Sequence, residues 1–156
     1  EVLGWVALLT GLFHTAMALL VLIMLNGALG TGLSLTLLAL PLVLVPYALL
    51  LLGIAWILAA LGVYLRDLAQ VIGPLVMASM FLGPVFYPRE AMPAAIQPWL
   101  AWNPITVPVE QVRRVLFEAQ WPQWDILAQY ALVAIGVYLL GLWAFERLKK
   151  GFADVL

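Results

Sequence analysis

The chain has 156 residues, 66% of them apolar and 10% charged, with a formal net charge of −1 and no cysteine. A soluble domain usually carries about a quarter charged residues, so this composition excludes an ordinary water-exposed fold. The missing cysteines exclude disulfides and thiolate metal sites, and no basic stripe is present to hold nucleic acid.

From Val2 to Leu65 the chain runs 64 positions without Asp, Glu, Lys or Arg. About 20 apolar residues in a helix cross the hydrocarbon of a bilayer, so this run holds two crossings. It has neither the basic start nor the short core of a cleaved signal peptide. "NGALGTG", Asn26 to Gly32, is its one cluster of turn formers and divides it. The first span is therefore predicted at about 2–25 and the second at about 33–63. A helix of that second length reaches roughly 45 Å, so tilt or an interfacial entry before Pro41 is expected. Pro41 and Pro46 each remove a backbone donor and are expected to kink it. "YLRDLAQ", Tyr64 to Gln70, reads as a tight charged connection to a third span at about 69–86. A fourth span is expected at about 126–145. The fold class is an all-α integral membrane protein, one transmembrane domain over residues 1–156. The chain opens on Glu1, without methionine, so an N-terminal portion is expected to be missing.

Four spans put both ends on one side, together with Arg66, Arg147, Lys149 and Lys150; Arg89, Arg113 and Arg114 lie on the other. The larger basic group, and the "RLKK" run at a span end, place the termini in the cytoplasm.

The 39 residues from Tyr87 to Asp125 are too apolar for a free loop. They hold four of the seven tryptophans, and six of the ten prolines fall between Pro84 and Pro108. Two short helices are readable. One follows Pro93 and stops at Asn103-Pro104; the other opens near Pro108, with Glu110 in its first turn, and runs to about Ala119. In the second, Val109, Val112, Val115 and Leu116 share a face, and Glu110 meets Arg113 and Arg114, as Arg114 meets Glu118, at helical spacing. Such helices either lie flat on the outer surface or form a re-entrant hairpin. Irregular backbone inside the bilayer is tolerated only where protein buries it or water lines it, so a hairpin would mark a conduit.

Three ordered stretches carry a family resemblance: "YLRDLAQVIGPLVMASMFLGPVFYP" (64–88), "WNPITVPVEQVRRVLF" (102–117) and "FERLKKGFADVL" (145–156). Together they resemble the carboxy-terminal two thirds of a type-2 ABC exporter permease of the polysaccharide and O-antigen branch. Against that pattern the amphipathic interface helix, the first two spans and most of the cytoplasmic coupling helix are absent, and Glu1-Val2-Leu3 resembles the end of the last. The resemblance implies a multi-pass protein of the bacterial inner membrane, with two copies forming a pore for a lipid-linked polysaccharide. It also implies two separate ATP-binding cassette subunits, which hold the ATP and magnesium. No Gly-x-x-x-x-Gly-Lys-Ser/Thr loop occurs here, so the chain is not expected to bind and split ATP in that way, and no cofactor, metal or catalytic residue is expected in it. The segment Tyr87–Phe117 becomes a pair of gate helices. Phe86, Tyr87, Pro88, Trp102, Asn103, Pro104, Glu110, Arg113 and Arg114 are then pore or gate residues. Glu1, Arg66 and Asp67 fall on the ATPase side, and Arg147, Lys149, Lys150 and Phe152 form a cytoplasmic anchor. Permeases for teichoic acid, capsule or a smaller amphiphile, and a scaffold that transports nothing, remain alternatives. A membrane enzyme fits poorly, because the loops offer no carboxylate or histidine set for acid–base work.

Several of these residues have two readings. Tyr87, Trp102 and Asn103 suit sugar rings and hydroxyls, or an interfacial belt with a helix stop. Arg113 and Arg114 suit phosphate or other anions, or simple pairing with Glu110 and Glu118. Arg66 and Asp67 form a coupling contact or an interfacial charge pair. His14, inside the first span with no carboxylate in that span, is expected to be neutral and bonded across helices. Gly136 and Gly141 are five apart, so they make no Gly-x-x-x-Gly seam for dimerisation.

Overall fold

In a computed structural model the described residues are 2–29, 34–65, 67–95, 97–100 and 102–149. They form helix α1 (Val2–Ala28), a 3₁₀ helix (Leu35–Ala39), α2 (Leu40–Tyr64) and α3 (Leu68–Leu82). A 3₁₀ turn (Arg89–Ala91), α4 (Gln97–Leu100), α5 (Thr106–Phe117) and α6 (Trp124–Leu148) follow. No strand occurs among the described residues. Among the described residues three segments are long and apolar enough to cross a membrane: Gly4–Ala28, Leu35–Tyr64 and Trp124–Leu148.

The remaining expected crossing is shorter than the sequence implied. α3 has 15 residues, or about 22 Å of helix against roughly 30 Å of hydrocarbon. It stops four residues before Phe86 because Gly83 turns extended and Pro84 cannot continue the helix. The first helix departs the other way, running through Asn26 and Gly27 to Ala28. Residues 30–32 of the expected turn lie outside the described residues. Pro41 produces no kink: it sits in the first turn of α2, where its missing N–H has no partner to lose. The segment before it is the 3₁₀ helix, opened by the Ser34 hydroxyl, which accepts from the Thr36 N–H at 3.3 Å. The helix continues without interruption through Pro46.

The spine is α2 against α6. These helices run parallel, because Gly53 meets Val137, Tyr138 and Gly141, while one end is tied by the Tyr64 hydroxyl donating to the Leu148 carbonyl at 3.1 Å. Glycine is required on both sides. A Cβ at Gly53 would lie 2.6 Å from the Val137 carbonyl oxygen, and one at Gly141 would strike the Gly53 carbonyl. Two backbones therefore touch directly, the close approach that small residues allow between membrane helices. Gly141 thus serves a seam within the chain, with a partner 88 positions away rather than five.

α1 packs antiparallel to α2, with Gly4 beside Trp56 and Thr15 across from Leu44 and Tyr47. The contact is thin: among its described side chains only Asn26 is buried. His14 bonds within its own helix, from Nδ1 to the Thr10 carbonyl at 2.8 Å, and not across helices as the sequence suggested. α3 is looser still, with no buried side chain.

The packing sorts the two ends. One gathers the start of α1, the Tyr64–Asp67 connection and the end of α6, with Asp67 exposed and the Arg147 guanidinium 5.5 Å over the Trp143 ring. Lys149 sits there too, just past α6. Glu1, Arg66, Lys150 and Phe152 lie outside the described residues. The other end gathers the α1–α2 connection, the end of α5 and the start of α6.

Candidate functional site

The segment between α3 and α6 is held from three directions, and α5 is its centre. This helix starts at Thr106, two residues before the proline expected to open it, so Glu110 is its fifth residue and falls outside the first turn. Its buried face is Thr106, Pro108, Gln111, Val115 and Leu116. Val115 and Leu116 close a cluster with Ala39 and Leu40, against which Leu19, Leu22, Ile23 and Val112 pack. Three of the last four carbonyls of α5, which no helical N–H can reach, find other donors. The Gln120 N–H donates to Arg114, the Thr36 hydroxyl to Val115 at 3.0 Å, and the Asn26 amide to Leu116 at 2.8 Å. The exit to α6 passes through Ala119, the one non-glycine residue at positive φ among those described (51°), and is fastened by buried Gln111. Its Oε1 accepts from the Gln123 N–H at 2.8 Å.

The far end of α5 meets Asn26. Along its length Ile105, Pro108, Val112 and Phe117 share a cavity of about 270 Å³ with Thr15, Leu19, Leu44 and Tyr47, so α5 packs alongside α1 and α2. The Tyr130 hydroxyl of α6 donates to the Pro104 carbonyl at 2.8 Å and holds the other, lower end.

At the lower end Asn103 links two elements. Its amide nitrogen donates to the Ser79 carbonyl at 2.7 Å, capping the last turn of α3, and its oxygen accepts from the Ile105 N–H at 3.1 Å. Gly83 makes room for this: a Cβ there would sit 2.8 Å from the Ser79 carbonyl and 3.1 Å from the Asn103 amide. Asn103 is thus the joint between α3 and α5. Trp102 beside it is 85% exposed and, with Trp99, Asn103 and Pro104, borders a shallow apolar cavity of about 440 Å³ against Leu75 and Leu82. α4, expected to extend from Pro93 to Asn103, is only the single turn Gln97–Leu100. Phe86 and Tyr87 are exposed and form an aromatic step with Phe81, the Phe81 and Phe86 rings stacking at 5.4 Å.

The opposite face of α5 carries the charges. Glu110, Arg113, Arg114 and Glu118 line a polar cavity of about 360 Å³ together with Pro88, Arg89 and Gln123. Glu110 pairs with Arg89 at 3.9 Å. Arg113 donates to the Pro84 carbonyl at 2.9 Å, tying the break after α3 to α5. Arg114 meets Glu118 at 4.0 Å, as helical spacing predicts, and also donates to Gln120 at 2.7 Å. Arg89, Gln120 and Gln123 were not singled out from sequence. Arg89 and Glu110 are 21 positions apart, and no local period joins residues at that distance.

The structure thus brings Pro88, Glu110, Arg113 and Arg114 to one cavity and Trp102, Asn103 and Pro104 to another, while a groove between α2, α6 and the start of α5 is lined by Glu110 together with Trp102, Asn103 and Pro104. Asp67 lies at the far end of the molecule, beside neither.

The model of the ABC-2 type transporter family matches residues 4–117. A curated relative, the O-antigen export system permease protein RfbA of Myxococcus xanthus, is 32% identical over 109 residues, covering 66% of this chain and 40% of the relative. The chain therefore spans less than half the length of that protein.

Proposed function

Since the chain belongs to the ABC-2 type transporter family, we propose that it is part of the permease subunit of an exporter for a lipid-linked, O-antigen-like polysaccharide. Two copies enclose the path in a bacterial inner membrane, and separate ATP-binding subunits supply the energy from the cytoplasmic side. The substrate class rests on the similarity to the O-antigen permease. α3 is the fourth crossing, short because it hands over to α5 at the Gly83–Pro84 break, and the α3–α5 segment is a re-entrant gate.

The observation that carries this reading is the two-sided character of α5. A helix with one face buried in apolar packing against the long helices, and the other bordering a cavity lined by two arginines and two glutamates, suits the wall of a water-filled path. The exposed aromatics Phe86, Tyr87 and Trp102 offer faces on which sugar rings stack. Asp67 and the Arg147–Lys149 end face the ATP-binding subunits and the cytoplasm in this arrangement.

Cysteine accessibility in the full-length protein tests it, since this sequence has no native cysteine to mask. Single cysteines at Glu110, Arg113 and Arg114 should react with an impermeant thiol reagent and slow glycan export once labelled. Val115 and Leu116 positions should stay protected. Uniform reactivity from 87 to 117, with export unaffected by labelling, would overturn the gate. Normal surface glycan after deletion of the gene would overturn export itself.

A further inference from the structure

Arg113 stands where two different cavities meet. On one side it lines the charged cavity of α5; on the other it borders an apolar cleft of about 270 Å³ between α1, α2 and α5. That cleft shares Thr15, Leu44 and Tyr47 with a second one of about 310 Å³. The walls of the second run from Gly4 to Thr15 on α1 and from Leu44 to Ala55 on α2. We propose that the joined cleft holds the single long chain of a polyisoprenyl phosphate lipid, with the phosphate on Arg113. The proposal rests on the export reading, because it names the lipid end of the exported molecule and says where that end is held.

Charge is the first argument. The charged cavity holds three arginines and two glutamates. Glu110 faces Arg89 at 3.9 Å and Glu118 faces Arg114 at 4.0 Å. Arg113 has no carboxylate within 4.0 Å among the described residues. It donates to the Pro84 carbonyl, a neutral acceptor that leaves the charge uncompensated, and a guanidinium carries five N–H donors. The Nε of Arg114, in the same cavity, is shielded from solvent and has no hydrogen-bond partner. A cation held within a membrane protein is costly unless an anion meets it, and a phosphate matches the guanidinium fork.

Shape is the second argument. Leu19, at the α5 end of the cleft, lies 15 residues from Gly4, about 22 Å along α1. One leaflet is half of a roughly 30 Å hydrocarbon core, so a chain filling the cleft passes the middle of the bilayer. The acyl chains of a glycerophospholipid end near that level, and its second chain would be left outside. A polyisoprenyl chain is single and longer. Small side chains make the room: Ala7 and Gly11 on α1, Ala48 and Ala55 on α2. A Cβ at Gly11 would have nothing within 4 Å. The phosphate also falls at a suitable level. One turn beyond Arg113, the Leu116 carbonyl meets Asn26, two residues short of the end of α1. Arg113 therefore stands near one end of the α1 span, and the cleft leads from it toward the other. The first sugar beyond the phosphate then enters the charged cavity.

Native mass spectrometry of the purified full-length protein, equilibrated with equimolar undecaprenyl phosphate, undecaprenol and phosphatidylglycerol, tests this. Undecaprenyl phosphate should be retained about tenfold over undecaprenol, the ratio expected when one charge-assisted contact is gained. Arg113→Gln should bring the two to parity. Gly11→Phe fills the cleft and should remove both isoprenoids, whereas Gly73→Phe, in open space on α3 and outside the cleft, should keep them. Equal retention of the phosphate and the alcohol by the unaltered protein would overturn the proposal. So would a preference for phosphatidylglycerol, which marks a bilayer-lipid site. Retention unmoved by Gly11→Phe would do the same, by showing that another part of the full-length protein covers the cleft. Should Arg113→Gln fail to fold, the phosphate-to-alcohol ratio and the two glycine variants decide. Normal surface glycan after gene deletion would end the export reading without altering these ratios, and failed retention would leave export standing.

Discussion

Asn26 shows how far a residue's role can lie from its sequence context. It stands in a run of turn formers, yet it is buried inside α1 and its amide caps the Leu116 carbonyl 90 positions away. Replacing it with Ala leaves that carbonyl without this donor in an apolar cluster, where a lost partner costs about 1–3 kcal/mol. Asn26→Ala should therefore lower the midpoint of thermal unfolding in detergent and loosen the end of α5. An unchanged midpoint, or unchanged amide exchange at residues 115–118, would show that the cap does not matter. Asn103 is a parallel case. A side chain that looked suited to sugar hydroxyls has both ends of its amide bonded to Ser79 and Ile105. Arg114 with Glu118 was legible, because four residues along a helix bring side chains together whatever surrounds them. Arg89 with Glu110 was not, because their meeting depends on how the chain folds back after α3.

Among the elements, the long apolar helices were the easiest to read and the segment between α3 and α6 the hardest. Lipid leaves α1, α2 and α6 few alternatives, since every backbone group must be satisfied within the segment. Their boundaries moved only by a few residues: α1 continued to Ala28, and Pro41 sits in the first turn of α2 instead of bending it. α3 and α4 came out shorter than expected because Gly83–Pro84 ends one and the other is a single turn. The strongest contact between elements, the parallel seam of α2 and α6, left no local mark. Its glycines sit on different helices, so spacing within either helix is silent. Gly53→Ala would put a methyl 2.6 Å from the Val137 carbonyl oxygen and 2.7 Å from the Tyr138 backbone, and over-packing of this kind costs about 1–3 kcal/mol. The full-length variant should insert in membranes yet unfold at lower temperature, while Gly73→Ala, with open space around it, should not. Equal midpoints for the two variants would remove the seam as a source of stability.

At the scale of the whole molecule, the long helices form a frame and α3 stands apart from it. α3 buries none of its side chains and leaves Leu75, Met77 and Phe81 exposed, although it leads directly into the candidate gate. If two copies enclose the path, the face next to the hairpin is where they meet, so α3 lies near the pseudo-symmetry axis. A single cysteine at Met77 in the full-length protein should cross-link two copies in native membranes, whereas one at Leu132, on the exposed side of α6, should not. Cross-linking at Leu132 but not at Met77 would put the axis elsewhere. Residence in a membrane, the helical class, the long spans and the family resemblance were all readable from the sequence alone. Each rests on properties that are local along the chain: hydropathy, proline position, ordered short motifs. The packing of α5 against α1 and α2, the partners of the arginines, the cap made by Asn26 and the glycine seam were decided only by the tertiary structure. These are contacts between residues tens of positions apart, and in a chain this uniformly apolar, hydropathy does not distinguish the face that meets protein from the face that meets lipid.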